Sequence, residues 1–218
     1  MTPLNRKLYR DLWRLRGQVL AIALVIASGI AVLAMSLTSM EALTETAIAY
    51  YERYRFGDVF ASVERAPEYL ADRVRKLPGV QAVDTRVVRS AVLDMEGFEE
   101  PVIGHLVSVP ERRPPDLNQL ALRSGRVPRL GYPDEAVLSE PFAEAHGLTL
   151  GSTFRAVLNG NWRKLTVVGI ALSPEFVYTI GPGALMPDDK RFGIVWLGQE
   201  AMQAAFDLDG AFNTISLT

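Results

Sequence analysis

Residues 134–172 read DEAVLSEPFAEAHGLTLGSTFRAVLNGNWRKLTVVGIAL and change element type twice in quick succession. EAVLSE (135–140) has the pattern of a short strand, and EPFAEAHG (140–147) that of a short helix stopped by Gly147. LGSTFRAVLNGNWRKLTVVGIA (150–171) reads as a hairpin turning at Asn159-Gly160, a dipeptide suited to positive φ. Downstream, FGIVWLG (192–198) is a strand, QEAMQAAFDL (199–208) a helix and AFNTISLT (211–218) a last strand. Upstream, DVFASVE (58–64) is a strand, and PEYLADRVRKLPG (67–79) a helix with Pro67 near its start and Pro78-Gly79 closing it. VQAVDTRVVRSAVLDM (80–95) is a long strand region. Strand, helix, strand at this spacing predicts a βαβ unit whose two strands share a sheet. After the turn EGFEE (96–100) comes the strand PVIGHLVSV (101–109). The stretch 110–133, PERRPPDLNQLALRSGRVPRLGYP, is rich in proline and turn residues and is expected to divide two subdomains. The whole is an α+β domain with no internal repeat or low-complexity segment.

What precedes that domain is of another kind. RGQVLAIALVIASGIAVLAMSLTSME (16–41) has no charged side chain between Arg16 and Glu41, a gap of 24 residues. As a helix, residues 17–40 would be roughly 36 Å long at about 1.5 Å per residue. A bilayer's hydrocarbon core is about 30 Å thick, so the run spans it with room to tilt. A buried helix of a soluble domain seldom needs apolar residues on every face. A cleavable signal has an apolar region of only about 7–15 residues and ends in a small-x-small site; AVLAMSLTSMEAL offers weak sites. The span is the better reading.

Five cations (Arg6, Lys7, Arg10, Arg14, Arg16) and one acid (Asp11) precede the span, which by the positive-inside rule keeps the N-terminus cytoplasmic. The expected layout is a cytoplasmic basic segment (1–16), a transmembrane helix (17–40), a helical stalk (41–55) and an extracytoplasmic core domain (56–218). Leu8, Leu12, Trp13 and Leu15 among the arginines suit the headgroup layer. Within the span, Ala23, Ala27 and Ala31, with Gly29 and Ala34 close by, form a small-residue face that admits a second helix; the commonness of alanine in spans explains them equally. In the stalk, EALTETAIAYYERYR (41–55), Leu43, Ala47, Tyr50 and Tyr54 recur at helical spacing, and Gly57 ends the helix. Tyr50, Tyr51 and Tyr54 read as interfacial packing before they read as a ligand groove.

Residues 41–218 hold 18 basic and 24 acidic side chains, which gives no basic stripe for nucleic acid. There are no cysteines, which excludes disulfides, thiolate metal sites and a cysteine nucleophile. His146, ahead of Gly147, suits a bond to the last helix carbonyls, and His105 falls inside a strand. Neither has an acid at metal-binding spacing. DLDG (207–210) is only a fragment of a calcium loop. GPG (181–183) reads as a turn. Asp134-Glu135 and Asp188-Asp189 fall in turn-like sequence, where solvated carboxylates are expected. No nucleophile elbow, P-loop or dinucleotide fingerprint occurs. No catalytic, cofactor-binding or metal residue is assigned, no cofactor is expected, and the chain reads as non-enzymatic.

Three stretches together resemble the FtsX/MacB-like family of ABC-transporter permease subunits: RDLWRLRGQVLAIALVIASGIAVLAMSL (10–37), LPGVQAVDTR (77–86), and DEAVLSEPFAEAHGLTLGSTFRAVLNG leading to LTVVGIALSPEFVY (134–178). The resemblance implies an N-terminal transmembrane helix followed by a MacB-like periplasmic core domain in the inner membrane of a bacterium. It implies as partners a cytoplasmic ABC ATPase subunit, other permease helices or a second permease copy, and the bilayer. The cargo of such relatives is a lipid, lipoprotein, peptide or drug, or a cell-wall hydrolase is acted on instead. The chain ends at Thr218 without a second apolar run, so it is expected to be the first part of a longer permease, with a single-span relative as the other reading. A membrane-anchored binding module working without an ATPase, and an enzyme behind a cleaved signal, are the rival functions. SPEFVY (173–178) and the stalk tyrosines are the surfaces singled out for mutation.

Overall fold

The computed structural model describes residues 3–218, with the side chains of residues 3–6, 8 and 9 outside the description, so the readings of Arg6 and Leu8 fall there. The chain divides into two compact units, Met1–Tyr50 and Tyr51–Thr218. The first holds α1 (Pro3–Arg14) and most of α2 (Arg16–Arg53). α2 is long and apolar enough to cross a membrane, and none of its residues is buried, unlike a core helix. Four of its hydroxyls bond carbonyls within the helix, among them Ser28 to Val25 and Thr38 to Ala34. That is a local way to satisfy a polar side chain where water is scarce.

The second unit contains β1 (Val59–Pro67), α3 (Tyr69–Arg75), β2 (Val83–Arg86), β3 (Val88–Asp94), β4 (Val102–Val109), β5 (Ala121–Gly125), β6 (Glu135–Ser139), α4 (Glu140–Ala145), β7 (Thr153–Leu158), β8 (Asn161–Leu172), β9 (Phe192–Gly198), α5 (Gln199–Ala205) and β10 (Ala211–Leu217). A short 3-10 turn, Pro174–Phe176, follows β8. The expected α+β class is what the chain adopts. Two sheets result. β1 and β2 do share a sheet across α3, but β10 enters between them, antiparallel to both. The C-terminal strand therefore completes a sheet begun 150 residues earlier in the chain.

The second sheet closes on itself. β8 pairs with β7 along Asn161–Thr166, and its other edge pairs with β6 from Thr166 to Ala171. From β6 the ladder runs through β9, β4 and β3 to β7, which returns to β8. The ring has six strands, with β5 added to β8 beyond β7. The weakest seam is β3–β7, of two residue pairs, Leu93 with Ala156 and Asp94 with Arg155, where Arg155 and Asp94 also form an ion pair. The hairpin turns where expected, with Asn159 and Gly160 at φ 47° and 80°.

The interior is filled by Leu93, Val102, Leu106, Ala136, Leu138, Phe154, Leu165, Val167, Val195 and Leu197, and α4 adds Phe142. The outer faces of β4, β6 and β9 are buried as well, around Val107, Val137, Ile194 and Trp196. Burial on both faces explains why EAVLS and GIVWL run apolar without alternation. Gly104 and Gly193 lie opposite each other on β4 and β9. A side chain at either would have its Cβ inside occupied space, 2.8 Å from Leu93 and 2.3 Å from the Phe142 ring.

Two expectations are corrected. The strand region 80–95 breaks at Val87, where the chain crosses from one sheet to the other. There the backbone bonds that a ladder would satisfy go to side chains: Val87 N–H donates to Ser108 Oγ (2.8 Å), and Asn213 bonds both N–H and C=O of Val88 (2.8 Å each). Nor does 110–133 divide the sheets. β4 and β6, on either side of it, belong to the closed sheet, and β5 lies within it.

Gly193→Ala is expected to destabilise the protein by about 1–3 kcal/mol, the usual range for overpacking a filled core. Chemical denaturation of the full chain checks this. Phe142→Leu should offset part of the loss in the double variant if the two share one space.

Candidate functional site

The segment SPEFVY begins buried and ends exposed. Ser173, at 3% exposure, accepts the Glu175 N–H on its Oγ, which holds the 3-10 turn. Glu175 receives a two-pronged bond from Arg86 on β2, with distances of 2.5 and 3.1 Å. The Arg86 side chain is 5% exposed and that of Glu175 20%. A fork-to-fork pair fixes direction as well as distance, so it clamps the segment after β8 onto a strand of the other sheet. Phe176 then packs on His105 and Trp196, with ring centroids 5.5 and 6.2 Å apart.

Beyond Phe176 the chain stands out. Val177, Tyr178, Ile180, Leu185 and Met186 are exposed, Leu185 at 95%. Gly181-Pro182-Gly183-Ala184 forms the expected turn, closed by Ala184 N–H to the carbonyl of Gly181 at 3.0 Å, with Gly183 at φ 77°. Beneath the loop lies a pocket of about 350 Å³. Ser90, His105, Phe192 and Ile194 form its strand wall, and Phe176, Tyr178, Thr179, Ile180 and Pro182 its loop wall. Burial lowers the pKa of His105 below its ordinary value, Glu175 opposing and Arg86 adding to the effect. The imidazole is therefore neutral at neutral pH. The wall carries aromatic and aliphatic groups with Ser90, His105, Tyr178 and Thr179 as its polar side chains and no charged one, which suits an uncharged, largely apolar group.

The stalk tyrosines meet a different set of residues. The Tyr51 ring lies 5.0 Å from Phe56, and Phe56 lies 5.5 Å from Phe60 on β1. Neither Tyr51 nor Tyr54 lines the pocket. Asn118, buried and at φ 51°, bonds the chain just after α2: its N–H donates to the Arg55 carbonyl (2.9 Å), and its Oδ1 accepts from Gly57 N–H (3.1 Å). Its Nδ2 reaches Ser216 Oγ at 3.4 Å. Asp84 sits opposite Ser216 across β2 and β10. It is 4% exposed, and its Oδ2 has no hydrogen-bond partner among the described residues. Burial raises its pKa to about 6, against the opposing charge of Arg86.

Other readings are corrected here. His146 bonds a helix carbonyl through its backbone, N–H to Phe142 C=O at 3.3 Å, but its side chain does not: Nε2 lies 2.9 Å from the Lys190 carbonyl, and the ring packs on Phe142 and Phe98. Glu135 is not a solvated turn residue. It opens β6, is 7% exposed, and takes hydrogen bonds from Arg126 and Arg129 that hold its pKa down at about 2. Asp188 is half-buried and pairs with Arg191 at 2.8 Å. Asp207, of the calcium-loop fragment, accepts a bond from Asn159 at 3.2 Å. No cluster of three metal-ligating side chains occurs among the described residues. Sequence reasoning missed Arg86, His105, Asn118 and Asp84; the one available signal was an arginine and an aspartate inside the apolar run AVDTRVV.

Residues 19–215 match the family described as MacB-like periplasmic core domain. The chain belongs to this family. MacB-like periplasmic core domains are parts of ABC-transporter permeases, and the family is a transporter domain rather than a class of enzyme. Solved structures that match include the extracellular domain of the noncanonic ABC-type transporter YknZ from Gram-positive bacteria, at 16% identity, covering 76% of this chain and 80% of that one, with a TM-score of 0.46. Another is the periplasmic region of MacB from Actinobacillus actinomycetemcomitans, at 15% identity, covering 72% and 65%, with a TM-score of 0.45. No curated protein matches the chain.

Asp84, with its pKa raised, favours folding most at low pH, below its unfolded value of 3.8, and loses that contribution as pH rises through about 6. Asp84→Asn is therefore expected to stabilise the chain at pH 7.5 by up to about 3 kcal/mol, from two pKa units at about 1.4 kcal/mol each, and to have little effect near pH 4. Glu135 has the opposite sign: its contribution is full above 4.5 and disappears as pH falls through about 2. Melting curves across pH for wild type and Asp84→Asn test the assignment.

Proposed function

We propose that the chain is a permease component of an ABC-type transporter and that the pocket under the 177–186 loop receives an uncharged, apolar part of its cargo. In this reading residues 17–40 cross the cytoplasmic membrane, residues 1–16 remain on the cytoplasmic side, 41–55 form the stalk and 56–218 the extracytoplasmic domain. The cations before the span support that orientation. A cytoplasmic ATPase supplies the energy, and further permease helices or a second copy complete the path. The observation that carries the cargo reading is the aromatic pocket with a neutral histidine beneath a loop that exposes Tyr178, Ile180, Leu185 and Met186. A charged ligand would lose hydration there without gaining a counter-charge, because the nearby Arg86 and Glu175 already neutralise each other.

The absence of native cysteine makes topology directly measurable. In spheroplasts, a membrane-impermeant maleimide is expected to label Leu185→Cys at once and Lys7→Cys only after permeabilisation. The reverse pattern would overturn the orientation. For the pocket, the uncharged probe 1-N-phenylnaphthylamine is expected to bind the full chain, and Ile180→Ser with Phe192→Ser to weaken binding about tenfold, as burial of one or two large apolar side chains implies. Comparing variants separates the pocket from the apolar helix. Equal binding by wild type and variant would sink the pocket assignment, and binding with no dependence on any ATPase would favour an autonomous binding module.

A further inference from the structure

Two half-buried polar side chains in the pocket wall, His105 and Thr179, have no hydrogen-bond partner among the described residues. His105 stands in a row with Ser90 and Ile194 across β3, β4 and β9, and all three line the pocket. Its ring is fixed by packing alone, with centroids 5.5 Å from Phe176 and 6.3 Å from Phe192. His146, by contrast, has its Nε2 2.9 Å from the Lys190 carbonyl. Thr179 faces His105's side of the pocket from the loop wall. The two remaining polar groups, Ser90 and Tyr178, are exposed and reach water. A polar group withdrawn from water costs free energy until it meets a partner, and two such groups share the wall of one otherwise apolar pocket.

We propose that His105 and Thr179 donate to one carbonyl oxygen of the bound molecule, so that the pocket selects cargo carrying an ester or amide carbonyl beside an apolar body. This rests on the pocket reading above and adds the chemical group that the site recognises. A neutral imidazole has one N–H to donate, and a threonine hydroxyl has another. A carbonyl oxygen has two lone pairs and can take both. The burial that holds the imidazole uncharged would equally penalise a carboxylate, and Arg86 is already bound to Glu175. A plain hydrocarbon would leave both donors unmet, which is how a hydrogen-bonding site rejects an analogue lacking the group. Phe176, Phe192, Ile180 and Ile194 receive the apolar body.

The test uses three probes of one skeleton: the ketone 1-acetylnaphthalene, its alcohol 1-(1-naphthyl)ethanol and the hydrocarbon 1-isopropylnaphthalene. Affinities for the full chain in lipid nanodiscs come from equilibrium dialysis against empty nanodiscs, which subtracts partition into lipid. The chain has only two histidines, so in imidazole NMR His146 serves as the internal control. The ketone is expected to shift the His105 ring nitrogens and leave those of His146 in place. His105→Phe keeps a packed ring, and Thr179→Val keeps the shape of the side chain. Each is expected to lower the affinity for the ketone, relative to that for the hydrocarbon, about fivefold, the net value of one hydrogen bond exchanged with water. A purely structural defect would weaken both probes alike; should His105→Phe do so, Thr179→Val in the loop decides. An unchanged ratio there would overturn the proposal, as would a fall confined to the alcohol. Phe192→Ser should weaken all three probes. If it does while the ratio stays the same in every other variant, the pocket reading stands and the carbonyl is lost; if it weakens none, both are lost.

Discussion

β8 has hydrogen-bonding partners on both edges, and the rest of the domain follows from that. With β7 on one side of its first half and β6 on the other side of its second, it joins the two ends of the ladder, and the β3–β7 pairing closes the ring. Closure creates an interior that must be filled without voids. Gly104 and Gly193 make room for Leu93 and Phe142, so a helix side chain completes a core that strands alone would leave open. Closure also removes the free edges of β3 and β6, which leaves the outer face of β4, β9 and β6 as the surface on which later segments settle. The segment after β8 settles there, carries Phe176 onto Trp196 and forms the roof of the pocket.

The second sheet is joined to the first by the apolar Ala211 of β10, which enters the core of the closed sheet, and by buried polar contacts. Ser108 and Asn213 satisfy the backbone where the chain crosses at Val87, and Arg86 reaches Glu175. Breaking one partner of such a pair leaves a charge without hydration, a cost of several kcal/mol. An apolar contact of the same area would tolerate sliding. A forked ion pair does not, so it fixes the position of the segment after β8 against β2. Asp84, buried with one oxygen unpartnered, lies in the same seam and reduces stability at neutral pH.

Reading the chain residue by residue reached the elements more readily than their partners. The hairpin at Asn159-Gly160, the helix ending at Gly147 and the strands around GIVWL and FNTISL were legible because each is set by local periodicity and turn chemistry. The segment SPEFVY was legible as a surface of interest, but its pocket was not, since His105 on β4 and Phe192 and Ile194 on β9 lie 87 and 89 residues apart in the chain and meet only through the fold. Glu135 and His146 were misread for the same reason: their partners, Arg126, Arg129 and the Lys190 carbonyl, are chosen by tertiary approach and leave no mark at the residue itself.

The sequence by itself determined that an unbroken apolar helix precedes an α+β domain of the MacB-like family, because both facts rest on hydropathy and on motifs read over short windows. Tertiary structure decided that β10 would enter between β1 and β2, that the strand region 80–95 would divide at Val87, and that Arg86 would meet Glu175 rather than solvent. Strand order is a matter of which edges remain unpaired when the chain arrives, and a buried charge is a matter of which opposite charge can reach it. Both are properties of the assembled surface, and no local pattern encodes them.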